Sequence, residues 1–180
     1  MIEANTSAAS EATHPNPPDP GTAPAAAAST EPRAALPSVS VVVPTRDRPE
    51  LLRHAIAGIV GQSYDGLVEV VVVFDQSEPD TSLEVASPSR IVRTIRNTHT
   101  PGLAGGRNTG MLAATGDLLA FCDDDDEWLP PKLAAQVGLL STTDGPAIAA
   151  CGIEVRRNGQ SVTRIPDPQR LGYEDFLEDR

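Results

Sequence analysis

The amino-acid sequence predicts an α/β domain whose β-sheet is mostly parallel and flanked by helices. Two runs, SVSVVV at residues 38–43 and VEVVVVF at residues 68–74, are almost continuously apolar and β-branched, which is typical of strands buried on both faces. A segment with helical apolar spacing separates them, and further strand and helix patterns alternate along the chain. Because strands that alternate with helices usually pair in parallel, these observations favour a largely parallel sheet.

The chain of 180 residues is long enough for one domain with a hydrophobic core. Residues 1–37 are rich in Ala, Pro, Ser and Thr and show neither strand nor helix periodicity. We therefore expect a disordered leader over residues 1–37 and a folded domain over residues 38–180.

The composition argues against some classes of function. A formal net charge of -11 disfavours a nucleic-acid partner bound through its phosphates, although it is compatible with a single nucleotide held by a few local basic groups. No apolar run approaches the roughly 18 residues typical of a membrane span. Cys122 and Cys151 both lie in apolar runs, which favours two buried thiols in a reducing, cytoplasmic compartment.

The first helix is predicted after the strand at residues 38–43. Asp47 and Glu50 have the spacing of a capping box, and Pro49 is tolerated in the first turn of a helix. One apolar face follows at helical spacing and comprises Leu51, Leu52, Ala55, Ile56, Ile59 and Val60.

The next elements are predicted from shorter patterns. IVRTI at residues 91–95 indicates a third, weaker strand. PGLAGG at residues 101–106 is predicted as a Gly-rich turn before a short helix, RNTGMLAAT, which Gly116 would end as its C-cap. DLLAFC at residues 117–122 indicates a fourth strand.

Two elements are predicted beyond the fourth strand. Pro130 and Pro131 would open a further helix, KLAAQVGLL. Asn158-Gly159, between AIAACGIEV and SVTRI, is a strong signal for a two-residue hairpin. Between strand and helix, we expect Trp128 and Leu129 to pack beneath the loop as an apolar anchor rather than to contact a substrate.

Polar residues follow three of the predicted strands at the point where each strand ends. They are Pro44-Thr45-Arg46, Asp75-Gln76-Ser77 and the acidic run Asp123-Asp124-Asp125-Asp126-Glu127. Ligands of open α/β sheets bind beyond the carboxyl ends of the strands. We therefore expect these residues to converge on one edge of the sheet.

The acidic run of residues 123–127 predicts a cation site. Neighbouring carboxylates about 4 Å apart repel by roughly 1 to 4 kcal/mol, so water or a cation should offset the repulsion. In extended geometry Asp123 and Asp125 point to the same side, about 6 to 7 Å apart. There they can share a Mg or Mn ion with a neighbouring hydroxyl or phosphate. The alternative is a solvated acidic loop.

Arg107 and Asp75 are weaker candidates. Arg107 is predicted at the start of a short helix, where a helix N-terminus beside a guanidinium can receive an anion, but it could equally be an ordinary surface residue. Asp75 could bind a ligand or cap the following turn. The segment GLAGGR lacks the Lys-Ser/Thr of a P-loop, and it does not follow the first strand as a dinucleotide-binding GxGxxG does.

Three segments, VSVVVPTRDRPELL, VVVVFDQS and PGLAGGRNTGMLAATGDLLAFCDDDDEW, together resemble the nucleotide-binding half of family-two glycosyltransferases. The resemblance spans residues 38–155, and its blocks occur in the expected order. It implies a Rossmann-like GT-A fold, a nucleotide-diphospho-sugar donor and an Asp-x-Asp motif that binds a divalent metal, Mn or Mg.

The resemblance also implies roles for individual residues. The residues that would contact the nucleotide are Pro44, Thr45 and Arg46, which follow the first predicted strand, Asp75, which would contact the base, and Arg107. Asn108 would help to shape the loop that carries Arg107. Asp123 and Asp125 correspond to the Asp-x-Asp pair, with Asp125 as the direct metal ligand. Asp124 would face the ribose or support the turn.

The activity implied by the resemblance is metal-dependent transfer of a sugar to an acceptor hydroxyl, on a saccharide or another molecule, with inversion. Such enzymes take their general base from an acceptor half, so we expect the base beyond Arg180 and a domain that is incomplete in this chain. Glu174 and Asp175 lie in an amphipathic helical pattern, and we do not assign them as catalytic.

Other functions were weighed against this one. A truncated nucleotide-sugar-binding module with little or no turnover is the main alternative. A sugar-nucleotide pyrophosphorylase is disfavoured because PTRDRPE contains no glycine for a phosphate-binding loop. A calcium-stabilised interaction domain is disfavoured because the acidic run lacks the pattern of an EF-hand.

Overall fold

The computed structural model describes residues 35–145, 147–157 and 159–165. The expected leader, apart from residues 35–37, lies outside the described residues. The segment that carries Glu174 and Asp175 also lies outside them.

The centre of the fold is a five-stranded sheet with the strand order β3-β4-β2-β1-β5. Its strands are β1 (Val39–Thr45), β2 (Val68–Phe74), β3 (Val85–Ala86), β4 (Arg90–Arg96) and β5 (Leu118–Phe121). All neighbouring pairs are parallel except β3 with β4, which is antiparallel. Every residue of β1 and β2 is buried, as their unbroken apolar sequences predict. The predicted mostly parallel α/β fold is therefore confirmed.

Helices cover both faces of the sheet. They are α1 (Pro49–Val60), α2 (Leu103–Ala113) and α3 (Lys132–Leu140). Ile59 of α1 and Leu133 of α3 belong to the larger core cluster, together with Val41 and Val70 of the central strands. On the opposite face, Ala113 of α2 packs against a smaller cluster. The site described below lies where these layers meet the carboxyl ends of the strands.

Trp128 lies in the loop between β5 and α3. It is buried in the larger core cluster, and the Lys132 ammonium lies 3.9 Å from the centroid of its ring. The prediction that Trp128 anchors this loop in the core is confirmed, but the same prediction for Leu129 is wrong, because its side chain is exposed.

The Gly-rich segment was predicted as a turn, but most of it forms the first part of α2. The helix begins at Leu103 after Gly102, whose φ of 112° suits glycine, and it is capped by Ala114 rather than by Gly116. A Cβ on Gly110 would lie 2.2 Å from Cγ1 of Val42, so this glycine lets α2 lie directly against β1. Gly110 therefore marks close packing of a helix on a strand.

The capping box predicted for α1 is also wrong. The N-cap is Arg48, whose side chain makes no capping hydrogen bond, and Pro49 occupies the start of the helix. Asp47 has a φ of 55° and lies one residue too early to cap. A proline in the first turn needs no hydrogen-bonded N–H, so the helix begins without that cap.

The two cysteines differ in their surroundings. Cys122 is buried as predicted, and burial, followed by the negative charge of Asp126, raises the pKa of its thiol to about 12. Cys151 is exposed, contrary to the prediction, because the strand predicted over AIAACGIEV begins only at Ile153. The hairpin prediction is confirmed, since β6 (Ile153–Arg157) pairs antiparallel with β7 (Gln160–Arg164).

Glu69 is a charged residue inside the central strand β2. Its carboxylate accepts hydrogen bonds from the Ser40 hydroxyl, from the Thr115 backbone N–H at 2.9 Å and from Arg93 Nε at 2.8 Å. Burial alone would raise its pKa, but these three donors outweigh burial and hold the pKa of Glu69 below its ordinary value. Glu69 thereby ties the connection between α2 and β5 to the sheet.

We predict that Glu69→Gln lowers the free energy of unfolding at pH 7 by about 1 to 3 kcal/mol, because charged hydrogen bonds are lost. The folded-state pKa of Glu69 is lowered, so its stabilisation is complete above the ordinary value of 4.5 and is lost as the pH falls through the folded-state value. Urea titrations should show the variant and the wild type converging in acid. Glu50→Gln, at an exposed position, is the control, and a difference that persists unchanged at low pH contradicts this account.

Candidate active site

The three polar strand ends lie around one cavity of about 400 Å³ at the carboxyl edge of the sheet. Its lining residues are Pro44, Thr45, Arg46, Arg48, Asp75, Gly102, Leu103, Asp123, Asp124 and Asp125. The pairing of β1 with both β2 and β5 brings these ends together. The cavity lies in the usual size range of small-molecule sites. Of the predicted site residues, Arg107 is the one that does not line the cavity.

Asp124 is the buried member of the acidic run, with 8% of its side chain exposed. Its Oδ2 accepts a hydrogen bond of 2.8 Å from the Thr45 hydroxyl, and its Oδ1 accepts one of 3.1 Å from Arg48 Nη1. The carboxylate therefore joins the end of β1 and the start of α1 to the residues after β5. Of the two roles left open for Asp124, this geometry matches support of the turn.

Two arginines compensate the charge of the acidic run. Arg48 Nη1 also lies 3.0 Å from Asp125 Oδ2, and Arg107 Nη2 lies 2.7 Å from Asp123 Oδ1. Within the described residues, the positive charge that offsets the repulsion between these carboxylates comes from the two guanidinium groups.

Asp126 shows that this compensation is incomplete. Its pKa is raised above the ordinary value, first by burial and then by the negative charges of Asp123 and Asp125. Asp126 pairs with neither arginine, so the negative charges of its neighbours still disfavour its ionised form.

Arg48 is a site residue that sequence reasoning missed. It lies in the same loop as Arg46, which was selected because it directly follows β1. Arg46 is exposed and its Nε lies 3.8 Å from Asp47, whereas Arg48 contacts the acidic run. The acidic run itself could have indicated that a basic residue lies nearby, because a positive charge close to clustered carboxylates stabilises their ionised forms.

Arg107 was predicted at the start of a helix, but it lies in the second turn of α2. It therefore does not lie beside the free N–H groups of the helix N-terminus. Its guanidinium pairs with Asp123 and lies 5.7 Å from the centre of the Phe121 ring. Its buried Nε has no hydrogen-bond partner among the described residues.

Asp75 is buried at the end of β2 and both of its oxygens are used. Asn97 Nδ2 donates to it at 2.8 Å, and the Gly102 backbone N–H donates at 3.0 Å. The hydrogen bond from Asn97, followed by those from Gln76 and Gly102, outweighs burial and lowers the pKa of Asp75. Asp75 therefore stays ionised at neutral pH and fixes the loop that leads into α2.

The carboxylates fit a metal shared with a ligand better than a metal held by protein alone. No group of three His, Cys, Asp or Glu side chains within the described residues converges on one point. Mg²⁺ and Mn²⁺ often take only one or two carboxylates and complete their coordination with phosphates and water. Asp123 and Asp125 are 44% and 50% exposed and already attract cationic groups, which suits that arrangement.

A mostly parallel α/β sheet with a polar cavity at the carboxyl ends of its strands is typical of open α/β proteins, which bind their ligands at this edge of the sheet. A family model described as Glycosyl transferase family 2 matches residues 40–177. The chain therefore belongs to glycosyltransferase family 2, and the resemblance noted from the sequence is confirmed.

Two curated bacterial relatives match most of the chain. It is 29% identical over 142 residues to the Escherichia coli protein UDP-Glc:alpha-D-GlcNAc-diphosphoundecaprenol beta-1,3-glucosyltransferase WfgD, covering 78% of this chain and 55% of the relative. It is 32% identical over 149 residues to the GalNAc(5)-diNAcBac-PP-undecaprenol beta-1,3-glucosyltransferase of Campylobacter jejuni subsp. jejuni, covering 79% of this chain and 48% of the relative. The chain thus spans about half the length of these relatives.

The fold is shared with a solved enzyme structure. The mannosyltransferase PcManGT from Pyrobaculum calidifontis, in complex with GDP-Man and Mn²⁺, is 28% identical and superimposes with a TM-score of 0.51. The match covers 60% of this chain and 33% of that one. The expected GT-A fold is confirmed. Within the residues that the structure describes, no helix is long and apolar enough to span a membrane.

We predict that Asp124→Asn lowers the free energy of unfolding by about 1 to 3 kcal/mol, because a buried carboxylate loses two charge-assisted hydrogen bonds. Asp125→Asn is the matched control, since it removes an exposed partner of the same arginine and should cost less than about 1 kcal/mol. Urea unfolding of the two variants measures the difference. Equal losses would show that burial of Asp124 does not distinguish the two pairs.

Proposed function

We propose that this chain is the donor-binding part of a metal-dependent glycosyltransferase that moves a sugar from a nucleotide-diphospho-sugar to an acceptor hydroxyl with inversion. The observation that carries the proposal is the cavity at the carboxyl edge of the sheet. In a chain of family 2, it brings together Asp75, the residues at the end of β1, and the carboxylates Asp123, Asp124 and Asp125.

The nucleotide is proposed to lie along the ends of β1 and β2. Pro44, Thr45 and Arg46 would contact the base and ribose, and the ionised Asp75 would accept a hydrogen bond from the base. The position of all four residues on the cavity supports this assignment. Arg107 is proposed to act on the nucleotide only through Asp123, since its guanidinium pairs with that carboxylate.

The metal is proposed to bind at Asp125, with Asp123 as the second carboxylate. A bound Mn²⁺ or Mg²⁺ supplies positive charge where negative charge develops on the departing diphosphate. Asp124 would keep the loop in place, because its own oxygens are turned to Thr45 and Arg48. The presence of Mn²⁺ with GDP-Man in the related mannosyltransferase structure supports a metal site in this fold.

The acceptor is proposed to be a sugar hydroxyl, as the names of the two bacterial relatives indicate for those proteins. We assign no general base within the described residues, and about half of each relative's length lies outside the part that this chain matches. The second candidate function is a nucleotide-sugar-binding module with little turnover, which is favoured because no described residue of the cavity is assigned as a general base. A reducing compartment, the cytoplasm, suits the free thiols of Cys122 and Cys151.

The first test is metal-dependent nucleotide binding. We predict that UDP or GDP binds the purified chain at least about tenfold more tightly with Mn²⁺ than with a chelator, because the metal joins the diphosphate to the carboxylates. Isothermal titration calorimetry in the two buffers measures the difference. Equal affinities would remove the metal from the proposal and leave only a nucleotide site.

The second test separates Asp125 from the other carboxylates. We predict that Asp125→Asn abolishes the gain in nucleotide affinity that Mn²⁺ provides and leaves the far-UV circular dichroism unchanged. Asp117→Asn is the control, because Asp117 is an exposed aspartate just before the other end of β5, where it accepts hydrogen bonds from Ser38. If Asp125→Asn keeps the full metal effect, the metal ligand is a different residue.

A further inference from the structure

Arg48 places one nitrogen between two carboxylates of unequal exposure. Its Nη1 lies 3.1 Å from Oδ1 of the buried Asp124 and 3.0 Å from Oδ2 of Asp125, which is 50% exposed. Asp125 is also the residue proposed to bind the metal. The carboxylate proposed to bind the metal therefore also has a positively charged partner within the chain.

The two ion pairs of Arg48 differ in how easily they can be exchanged. The pair with Asp124 is shielded from water and is supported by the Thr45 hydroxyl, so breaking it leaves a buried charge without a partner. The pair with Asp125 is exposed, and exposed ion pairs are weak because water competes for both groups. A stronger cation at Asp125 can therefore displace Arg48 from it while the contact with Asp124 remains.

Arg48 also has unused hydrogen-bond donors beside the cavity. Within the described residues, both hydrogen bonds of the Arg48 side chain are donated by Nη1, and Nε and Nη2 have no partner. The side chain lines both the cavity of about 400 Å³ and a smaller one of about 170 Å³ next to the start of α1. Once released from Asp125, the guanidinium would still lie beside the bound ligand, with free donors for an anion.

We propose that Arg48 is the internal counter-cation of the metal site and makes metal binding depend on the nucleotide. Arg48 forms an ion pair with Asp125 when no ligand is bound, and this ion pair breaks when a divalent cation and a diphosphate bind together. This inference rests on the proposed function and assigns to Arg48 a positioning role at that site. Its positive charge opposes a free divalent cation, and the negative diphosphate removes the opposition.

The inference has a direct thermodynamic consequence. If Arg48 opposes the metal only until a diphosphate arrives, nucleotide and metal must each strengthen the binding of the other, by the same factor. Removing the charge of Arg48 should raise the affinity for the metal alone and reduce this mutual effect. A role for Arg48 that is only structural would lower both affinities or neither.

The experiment measures Mn²⁺ binding from the electron paramagnetic resonance signal of free Mn²⁺, with and without UDP or GDP. Arg48→Met is expected to bind Mn²⁺ alone about tenfold more tightly than the wild type, because a positive charge a few ångströms away is gone. The increase in Mn²⁺ affinity caused by the nucleotide should shrink by a similar factor. Arg53→Met is the matched control, since Arg53 of α1 is similarly exposed and pairs with Asp80 instead, and it should leave Mn²⁺ binding unchanged.

Two further variants keep the test decisive. Arg48→Lys retains the charge and should bind Mn²⁺ as the wild type does. If Arg48→Met does not fold, Arg48→Gln removes the positive charge while its amide can still donate a hydrogen bond to Asp124, and it should show the same gain. Thermal unfolding of each variant establishes that it is folded.

The outcomes separate this inference from the proposed function. A folded Arg48→Met protein that binds Mn²⁺ alone no more tightly than the wild type overturns the counter-cation role. If the wild type binds Mn²⁺ in the presence of nucleotide, that result leaves the proposed function standing. If neither protein binds Mn²⁺ with or without nucleotide, both proposals are rejected.

Discussion

The geometry of the site depends on one buried carboxylate. Asp124 accepts hydrogen bonds from the last residue of β1 and from the residue that precedes α1, so a single side chain holds three segments in register. Parallel strands bring their carboxyl ends to one edge but do not fix the loops that follow them. The contacts of Asp124 fix two of those loops, and the exposed Asp123 and Asp125 on either side of it are thereby presented to the cavity.

Close backbone packing complements this polar contact. Gly110 lets α2 approach β1 so closely that a side chain there would collide with Val42. Because α2 also carries Arg107, the closeness of the helix to the sheet sets how far that guanidinium reaches toward Asp123. On the other side of the cavity, Asp75 holds the backbone of Gly102 at the start of the same helix. The position of α2 is thus fixed by sterics in its middle and by a hydrogen bond at its beginning.

Features that depend on local sequence were predictable, and those that depend on distant partners were not. β1 and β2 followed from unbroken β-branched runs, and their parallel pairing placed the polar strand ends together. The start of α2 was missed because Gly105 and Gly106 were interpreted as turn residues. Only the folded structure shows that Gly105 packs against the backbone of Thr100 and Gly106 against Pro44 of β1. Arg48 was missed because its partner Asp124 lies 76 residues away, a contact that no local pattern encodes.

The unequal surroundings of the two thiols have a practical consequence. At neutral pH the Cys122 thiol is buried and protonated, so it is a poor nucleophile, whereas Cys151 is open to solvent. A maleimide dye or spin label would therefore attach at a single defined position without mutagenesis. Cys151 lies just before β6, in a segment that Gln136 of α3 contacts through the Ala149 carbonyl oxygen, so the label would report on the region that follows α3.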